Sequence, residues 1–407
     1  MRRMLMPLVL AAMWSSPLPV QAQPATPFLE LSLDGAVERA VSRSPVLLAA
    51  QRDADAAEAA LQQAGARANP TLNAAVEDTR RASRSTTATL EWPIELGGKR
   101  AARIAVAERS RELAQAVSAD TRSRLRAEVA REFFGVLVAQ ERLALSADSV
   151  RLAAAAADAA ARRVAAGKVA PIDEARARVD EANAQLEAAE ADVALAQARR
   201  SLATLWGDAE PDFARVQGDT DALPSRPPFG ELLAGLDASP GLQAHRLELD
   251  RQRALVDLAR SRAVPDLGVS VGAKRDNELG RTLAIVGVSL PLPLFDRQQG
   301  GVLEAARRAD KAEAEQQQAR LQALAALQQA CGQLALATTT VRRLKDTVLP
   351  AARQAHDAAT RGFEAGKFGF LDVLDAQRSL LQARERHLSA LSSAHQAAAA
   401  IDRLLGR

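Results

Sequence analysis

Apolar and polar positions along this chain follow two different periods, and the switch between them happens in the same order twice. From Val46 to Ala66 apolar residues return every three or four positions, the stripe of an amphipathic helix ended by Pro70. The pattern then changes to strict alternation. In "TLNAAVED" Leu72, Ala74 and Val76 share one face, while Thr71, Asn73, Ala75 and Glu77 share the other. "TTATLEW" sets Thr86, Ala88, Leu90 and Trp92 against Thr87, Thr89 and Glu91, so both segments read as strands, joined by the polar loop Asp78–Arg84. Helical periodicity resumes near Ala101 and runs to Ala166 with no proline and only Gly135 inside it. Val129, Phe133, Val136, Leu143 and Val150 form a heptad seam suited to packing beside parallel neighbours. About 65 residues at 1.5 Å each span roughly 100 Å, too long for a compact domain. A corner at Gly167-Lys168 then leads into a further helix, Ile172–Trp206.

The same order returns downstream: a helix over Gly241–Arg262, strands in "DLGVSVG" and "TLAIVGVSL", a loop over Lys274–Gly280, and a long helix. Leu267, Val269 and Val271 again oppose Asp266, Gly268 and Ser270, and a second corner, Gly366-Lys367, opens the helix "FLDVLDAQRSLLQAR". Ser44-Pro45 matches Ser239-Pro240, and Asn69-Pro70 matches Val264-Pro265 at the same offset. Further matches pair Trp92-Pro93-Ile94 with Leu292-Pro293-Leu294, Gly97-Gly98 with Gly300-Gly301, and Leu205-Trp206-Gly207 with Leu404-Leu405-Gly406. The chain is a tandem duplication. The expected division is a signal peptide over 1–22, an N-terminal segment over 23–44, repeat 1 over 45–207, an Asp- and Pro-rich linker over 208–234, and repeat 2 over 235–407. In each repeat the two shorter helices nearly match the long one in length. They are expected to stack end to end against it, with the strands at one end and the corner at the other. Pro93, Gly97, Gly98, Pro293, Gly300 and Gly301 mark the strand-to-helix junctions.

Four strands with one apolar and one polar face cannot close a barrel, and open edges are costly in lipid. Several chains must pool their strands; three chains give twelve, an even number suited to an outer-membrane barrel, with Trp92 in the interfacial belt. The expected fold class is mainly α with a β-barrel portion: a tandem-repeat coiled-coil barrel of long helices plus four membrane strands per chain. The alternative is a secreted periplasmic coiled-coil structural or adaptor protein whose short strands form local hairpins.

Composition sharpens this picture. Hydrophobic residues make up 48% but aromatics only 3%, with no tyrosine, which suits closely packed Ala-rich helices better than a thick core. The 53 basic and 50 acidic residues alternate along helices and leave a net charge of only +3, the pattern of paired, solvated faces and not of a nucleic-acid binder. Met1-Arg2-Arg3, the apolar run Leu5–Trp14 and Val20-Gln21-Ala22 form a secretory signal, so the mature chain is expected to start near Gln23. Cys331 is the only cysteine, which excludes an intramolecular disulfide and, being far from the signal, implies no N-terminal lipid anchor. No enzyme constellation, cofactor fingerprint or metal-ligand spacing is found; His245, His356, His387 and His395 are scattered and read as surface residues, and Cys331 as a small packing residue. Asp372 and Asp375 stand i, i+3 on one helix face, which taken alone reads as a solvated face.

The double repeat, the Gly-Lys corners and "FLDVLDAQRSLLQAR" together resemble the TolC-type outer-membrane efflux family over essentially the whole mature chain. The resemblance implies a homotrimeric duct that docks on a periplasmic adaptor and an inner-membrane pump, extending from the outer membrane into the periplasm. "IELGGKR" (Ile94–Arg100) and "VSLPLPLFDRQQGG" (Val288–Gly301) resemble the CzcC-type branch, which serves resistance–nodulation–division pumps exporting divalent heavy metals. A drug-efflux or type I secretion duct is the alternative within the family. By the same resemblance Asp372 and Asp375, with Asp173 matching the first of them, would ring the periplasmic aperture, and Gly167, Lys168, Gly366 and Lys367 would be the adaptor-contact tips. Where other members close the aperture with an arginine and a tyrosine, this chain carries Phe368 and Phe363, so closure would rest on apolar packing or other ion pairs.

Overall fold

The computed structural model describes residues 28–78, 80–219 and 222–407; the expected signal peptide lies outside them. β1 (Phe28–Leu31) and α1 (Leu33–Arg43) precede the first copy: α2 (Pro45–Ala64), β2 (Thr71–Glu77), β3 (Ser85–Ile94), α3 (Lys99–Ala165) and α4 (Pro171–Thr204). β4 (Phe213–Val216) and α5 (Phe229–Leu236) cross to the second copy: α6 (Pro240–Arg262), β5 (Leu267–Asp276), β6 (Arg281–Ser289), α7 (Gln299–Arg343), α8 (Leu349–Glu364) and α9 (Phe370–Leu405).

Matching helices start for the same reason. Ser44 and Ser239 are extended, and the following Pro45 and Pro240 occupy the first helical position, where a missing N–H costs nothing. These prolines also receive the end of another helix. Gly207, at φ +91°, closes α4 against the Pro45 ring, where a Cβ would lie 3.3 Å away. Gly406, at φ +74°, closes α9 against Pro240, where a Cβ would fall only 2.2 Å from the ring. A side chain at either glycine would separate the stacked ends. α2 and α4 therefore run end to end along α3, and α6 and α9 along α7, as the helix lengths predict.

α3 is one unbroken helix of 67 residues. Its seam differs from the expected heptad. Val129, Phe133 and Val136 are buried, but Leu143 and Val150 are only half-buried, and the buried line continues through Ser146, Ser149, Ala153, Ala157 and Ala160. A straight helix drifts about 20° per heptad from a 3.5-residue repeat, so the contact line moves onto neighbouring positions. Its partner α4 returns from the corner, so this packing is antiparallel, not parallel. The second copy breaks its long helix. Pro350 lacks the N–H that a continuous α-helix would use, and the turn before it widens into a π-helical stretch, Leu344–Val348.

The main sheet has the order β2-β3-β5-β6, antiparallel throughout, so β3 and β5 join the two copies. β5 continues to Asp276, which shortens the second hairpin loop to 277–280 from the expected Lys274–Gly280. The linker is also more ordered than its composition suggests. β4 pairs in parallel with β1, Gln140 exchanges two hydrogen bonds with the Val216 backbone (2.8 and 3.1 Å), and Arg39 grips Asp212 at 2.7 Å. The main core lies there: Leu31, Leu47, Val129, Phe133, Leu202, Trp206, Phe213 and Val216 are buried together.

Candidate functional site

Cross-strand register sorts the main sheet into two chemically distinct faces. Leu72, Leu90, Val271 and Val286 stand directly opposite one another across all four strands, and every one is exposed. Beside that row lie Ala74, Ala88, Ala273 and Ala284 on one side and Trp92, Val269 and Val288 on the other, with Trp92 53% exposed. The reverse face carries Asn73, Thr89 and Gly272, then Thr71, Glu91, Ser270 and Gly287, with Leu283 and Ile285 as apolar exceptions. Lys274 reaches Glu77 at 2.8 Å on this face. Gly272 is needed for close strand approach, since a Cβ there would fall 2.2 Å from the Ala88 carbonyl oxygen. No helix among the described residues is long and apolar enough to cross a membrane. An apolar outer and polar inner face is the alternation of a lipid-facing barrel wall.

The junction between β3 and α3 is tightly built. Gly97 (φ +68°) and Gly98 (φ +72°) turn the chain, and a Cβ on Gly97 would lie 2.6 Å from Val264 Cβ. Lys99 binds Asp266 at 2.7 Å, Arg100 donates to the Gly65 carbonyl at 2.8 Å, and Arg103 makes a forked pair with Glu95. That guanidinium holds the Glu95 carboxyl below the usual carboxylate value. Pro93 lies inside β3 as its penultimate residue, with Ile94, Glu95 and Leu96 between it and this turn. The second junction corrects the sequence match. There the left-handed residue is Gln298 (φ +60°), while Gly300 and Gly301 fall inside the first turn of α7. Asp296 accepts the Gln298 backbone N–H at 2.8 Å and stabilises the turn without glycine. Leu290, Leu292, Pro293 and Leu294 leave β6 in an irregular, exposed stretch that ends in Phe295, 91% exposed.

Both corners close in one way. Gly167 and Gly366 adopt φ +66° and +72°; Lys168 and Lys367 donate backward to Arg163 and Gly362, and the glycines donate to Val164 and Phe363. These paired bonds satisfy the last carbonyls of α3 and α8 and leave the glycines on the outside, with nothing within 4 Å of a would-be Cβ. Of the aspartates, Asp372 and Asp375 are exposed near the start of α9, and Asp173 is half-buried at the start of α4. Asp372 accepts the Gly369 N–H at 2.8 Å, so it also caps its helix. The copies differ here. Arg176 occupies the place of Asp375 and faces Asp173 at 4.0 Å, whereas among the described residues neither Asp372 nor Asp375 forms an ion pair.

Contacts join the two hairpins around Phe363 and Phe368. The Arg163 guanidinium lies 3.6 Å above the centre of the Phe363 ring and donates to the Phe363 carbonyl at 2.9 Å. Arg378 of α9 binds Asp180 of α4 at 2.5 Å. Phe368 folds over Gly362, where a Cβ would sit 2.1 Å from its ring. The histidines correct an expectation: His387 and His395 are buried on α9, His395 stacked 3.7 Å from the Phe134 ring, so they pack the wall. Cys331 is half-buried beside Leu327 and Ile401, and burial raises its thiol pKa, which favours the unreactive form.

A family model described as "Outer membrane efflux protein" matches residues 36–208 and 234–407. The chain is 50% identical to the cobalt-zinc-cadmium resistance protein CzcC of Cupriavidus metallidurans, covering all of both chains. It is 35% identical to the nickel and cobalt resistance protein CnrC of the same organism, over 80% of this chain and 78% of that one. Among solved structures, the outer membrane protein VceC of Vibrio cholerae matches at a TM-score of 0.78 and 21% identity, covering 92% of this chain and 96% of that one.

Proposed function

Because the chain belongs to the outer membrane efflux protein family, we propose that it is the outer-membrane exit duct for divalent heavy-metal cations. The observation that carries this reading is the sheet, whose exposed apolar face ends a helical arm too long for a compact body. Full-length similarity to a cobalt-zinc-cadmium resistance protein supports the substrate class. In this reading three copies pool their strands into a barrel in the outer membrane and their helices into a tube through the periplasm. A periplasmic adaptor docks on Gly167, Lys168, Gly366 and Lys367, and a resistance–nodulation–division pump in the inner membrane supplies the metal. Asp372 and Asp375, repeated by three-fold symmetry, place rings of carboxylate at the periplasmic mouth, with Asp173 nearby; such rings favour cations. Arg163 on Phe363 and Arg378 on Asp180 would hold that mouth narrow.

The reading is tested by deleting the gene in its host and restoring it from a plasmid. Resistance to cobalt, zinc or cadmium should fall and return. Unchanged metal resistance with impaired export of organic drugs or of a secreted protein would overturn the metal assignment and favour another duct of the same family.

A further inference from the structure

The two free edges of the main sheet, β2 and β6, have a template inside the chain. The hairpins of the two copies share one register: Leu72 pairs with Leu90, and their counterparts Leu267 and Leu290 are the next step beyond the observed pair Gly268–Ser289. The seam between copies is equally explicit, with Leu90 opposite Val271, Trp92 opposite Val269 and Ile94 opposite Leu267. Carrying this seam through the repeat gives the missing one. We propose that Leu290–Leu294 continues β6 and pairs antiparallel with β2 of a second copy, with Leu290 opposite Val76, Leu292 opposite Ala74 and Leu294 opposite Leu72.

Three observations support this register. Leu290, Leu292 and Leu294 keep the parity of Val286 and Val288, so once paired they extend the apolar face, the Leu294 N–H giving up its 2.8 Å bond to the Leu292 carbonyl in the single chain; a one-residue slip would turn them onto the polar face. In the single chain Leu292 and Leu294 are 70% and 66% exposed, because β5 begins at Leu267 and offers them no neighbour. Pro293 does not forbid pairing, since Pro93 occupies the matching place in the internal seam, opposite Gly268; Pro291 has the same parity as Pro293, and its counterpart Glu91 stands opposite Ser270. The partner is a second copy because the edge it must complete is this chain's own β2. The inference rests on the proposed multi-chain barrel.

The test places cysteine pairs in a Cys331→Ala background. Directly opposite residues have Cβ atoms about 5 Å apart, while partners shifted by two are about 7–8 Å apart. Disulfides need about 3.5–4.5 Å. Oxidation in outer-membrane preparations should convert Leu292→Cys/Ala74→Cys, and independently Leu290→Cys/Val76→Cys, into covalent trimers. The shifted pair Leu292→Cys/Val76→Cys should cross-link several-fold less. Cross-linking that favours the shifted pair, or is absent from all pairs in a protein that sediments as a trimer, overturns the register and leaves the barrel standing. A chain that sediments as a monomer overturns the barrel and the register together.

Discussion

Glu95 and Arg103 tie the end of β3 to the start of α3 at the first junction. The ordinary value for this carboxyl is 4.5, and the neighbouring guanidinium lowers it in the folded protein. A lowered folded value means the contribution is complete above the unfolded value and fades as pH falls through the folded one. Thermal stability should therefore decline on acidification below about pH 4.5, and Glu95→Gln should flatten part of that decline. Parallel melting curves for both proteins across the range would remove Glu95 from the account. The aspartates at the second corner call for a gentler substitution than alanine, since Asp372 at the third helical position also accepts the Gly369 N–H that opens α9. Asp372→Asn with Asp375→Asn keeps an acceptor at the cap and removes the charge. In a planar bilayer the double variant should lose cation selectivity and block by multivalent cations, and the difference should shrink in high salt. Unchanged selectivity would make the pair an ordinary solvated helix face.

At the level of elements, the sheet separates two kinds of position one residue apart. Val271 lies in the exposed apolar row, and Asn73 lies on the polar face. Val271→Arg should cost about 2–4 kcal/mol and reduce assembly in the membrane, whereas Asn73→Arg should assemble normally. Equal yields of heat-modifiable oligomer from both would mean that the apolar face does not meet lipid. This division was legible in the sequence because a period of two leaves no ambiguity about which side chains share a face. The corners and the stacked helices were legible too, through Ser-Pro and Gly-Lys pairs that punctuate both copies. Burial along the helices was legible only in part. The seam through Val129, Phe133 and Val136 is buried, but toward the corner alanine and serine take over the packed side of α3, and His387 and His395 gave no sign of lying inward. β1 and β4 were missed because each has only 4 residues and they pair across most of the first copy. Gln298 was missed because an aspartate two residues earlier does the work expected of glycine.

The whole molecule is an elongated arm with a sheet at one end and two glycine corners at the other. Gly167 and Gly366 have open space around them, so larger side chains there meet only the backbone strain of a left-handed residue, about 1–2 kcal/mol. Gly167→Leu with Gly366→Leu should leave the oligomer intact and abolish metal resistance, because only a docked partner would feel the added bulk. Full resistance in a correctly assembled double variant would place the adaptor elsewhere. The pairing of β3 with β5 within one polypeptide bears on how such a wall can be assembled at all. A chain with a single repeat would have to collect six subunits to supply twelve strands, and each recruitment would lose translational and rotational freedom worth about 4–15 kcal/mol. Covalent linkage of the two repeats makes every second seam intramolecular. Closure then depends on encounters among three bodies, so it can proceed at far lower protein concentration in the crowded space between two membranes.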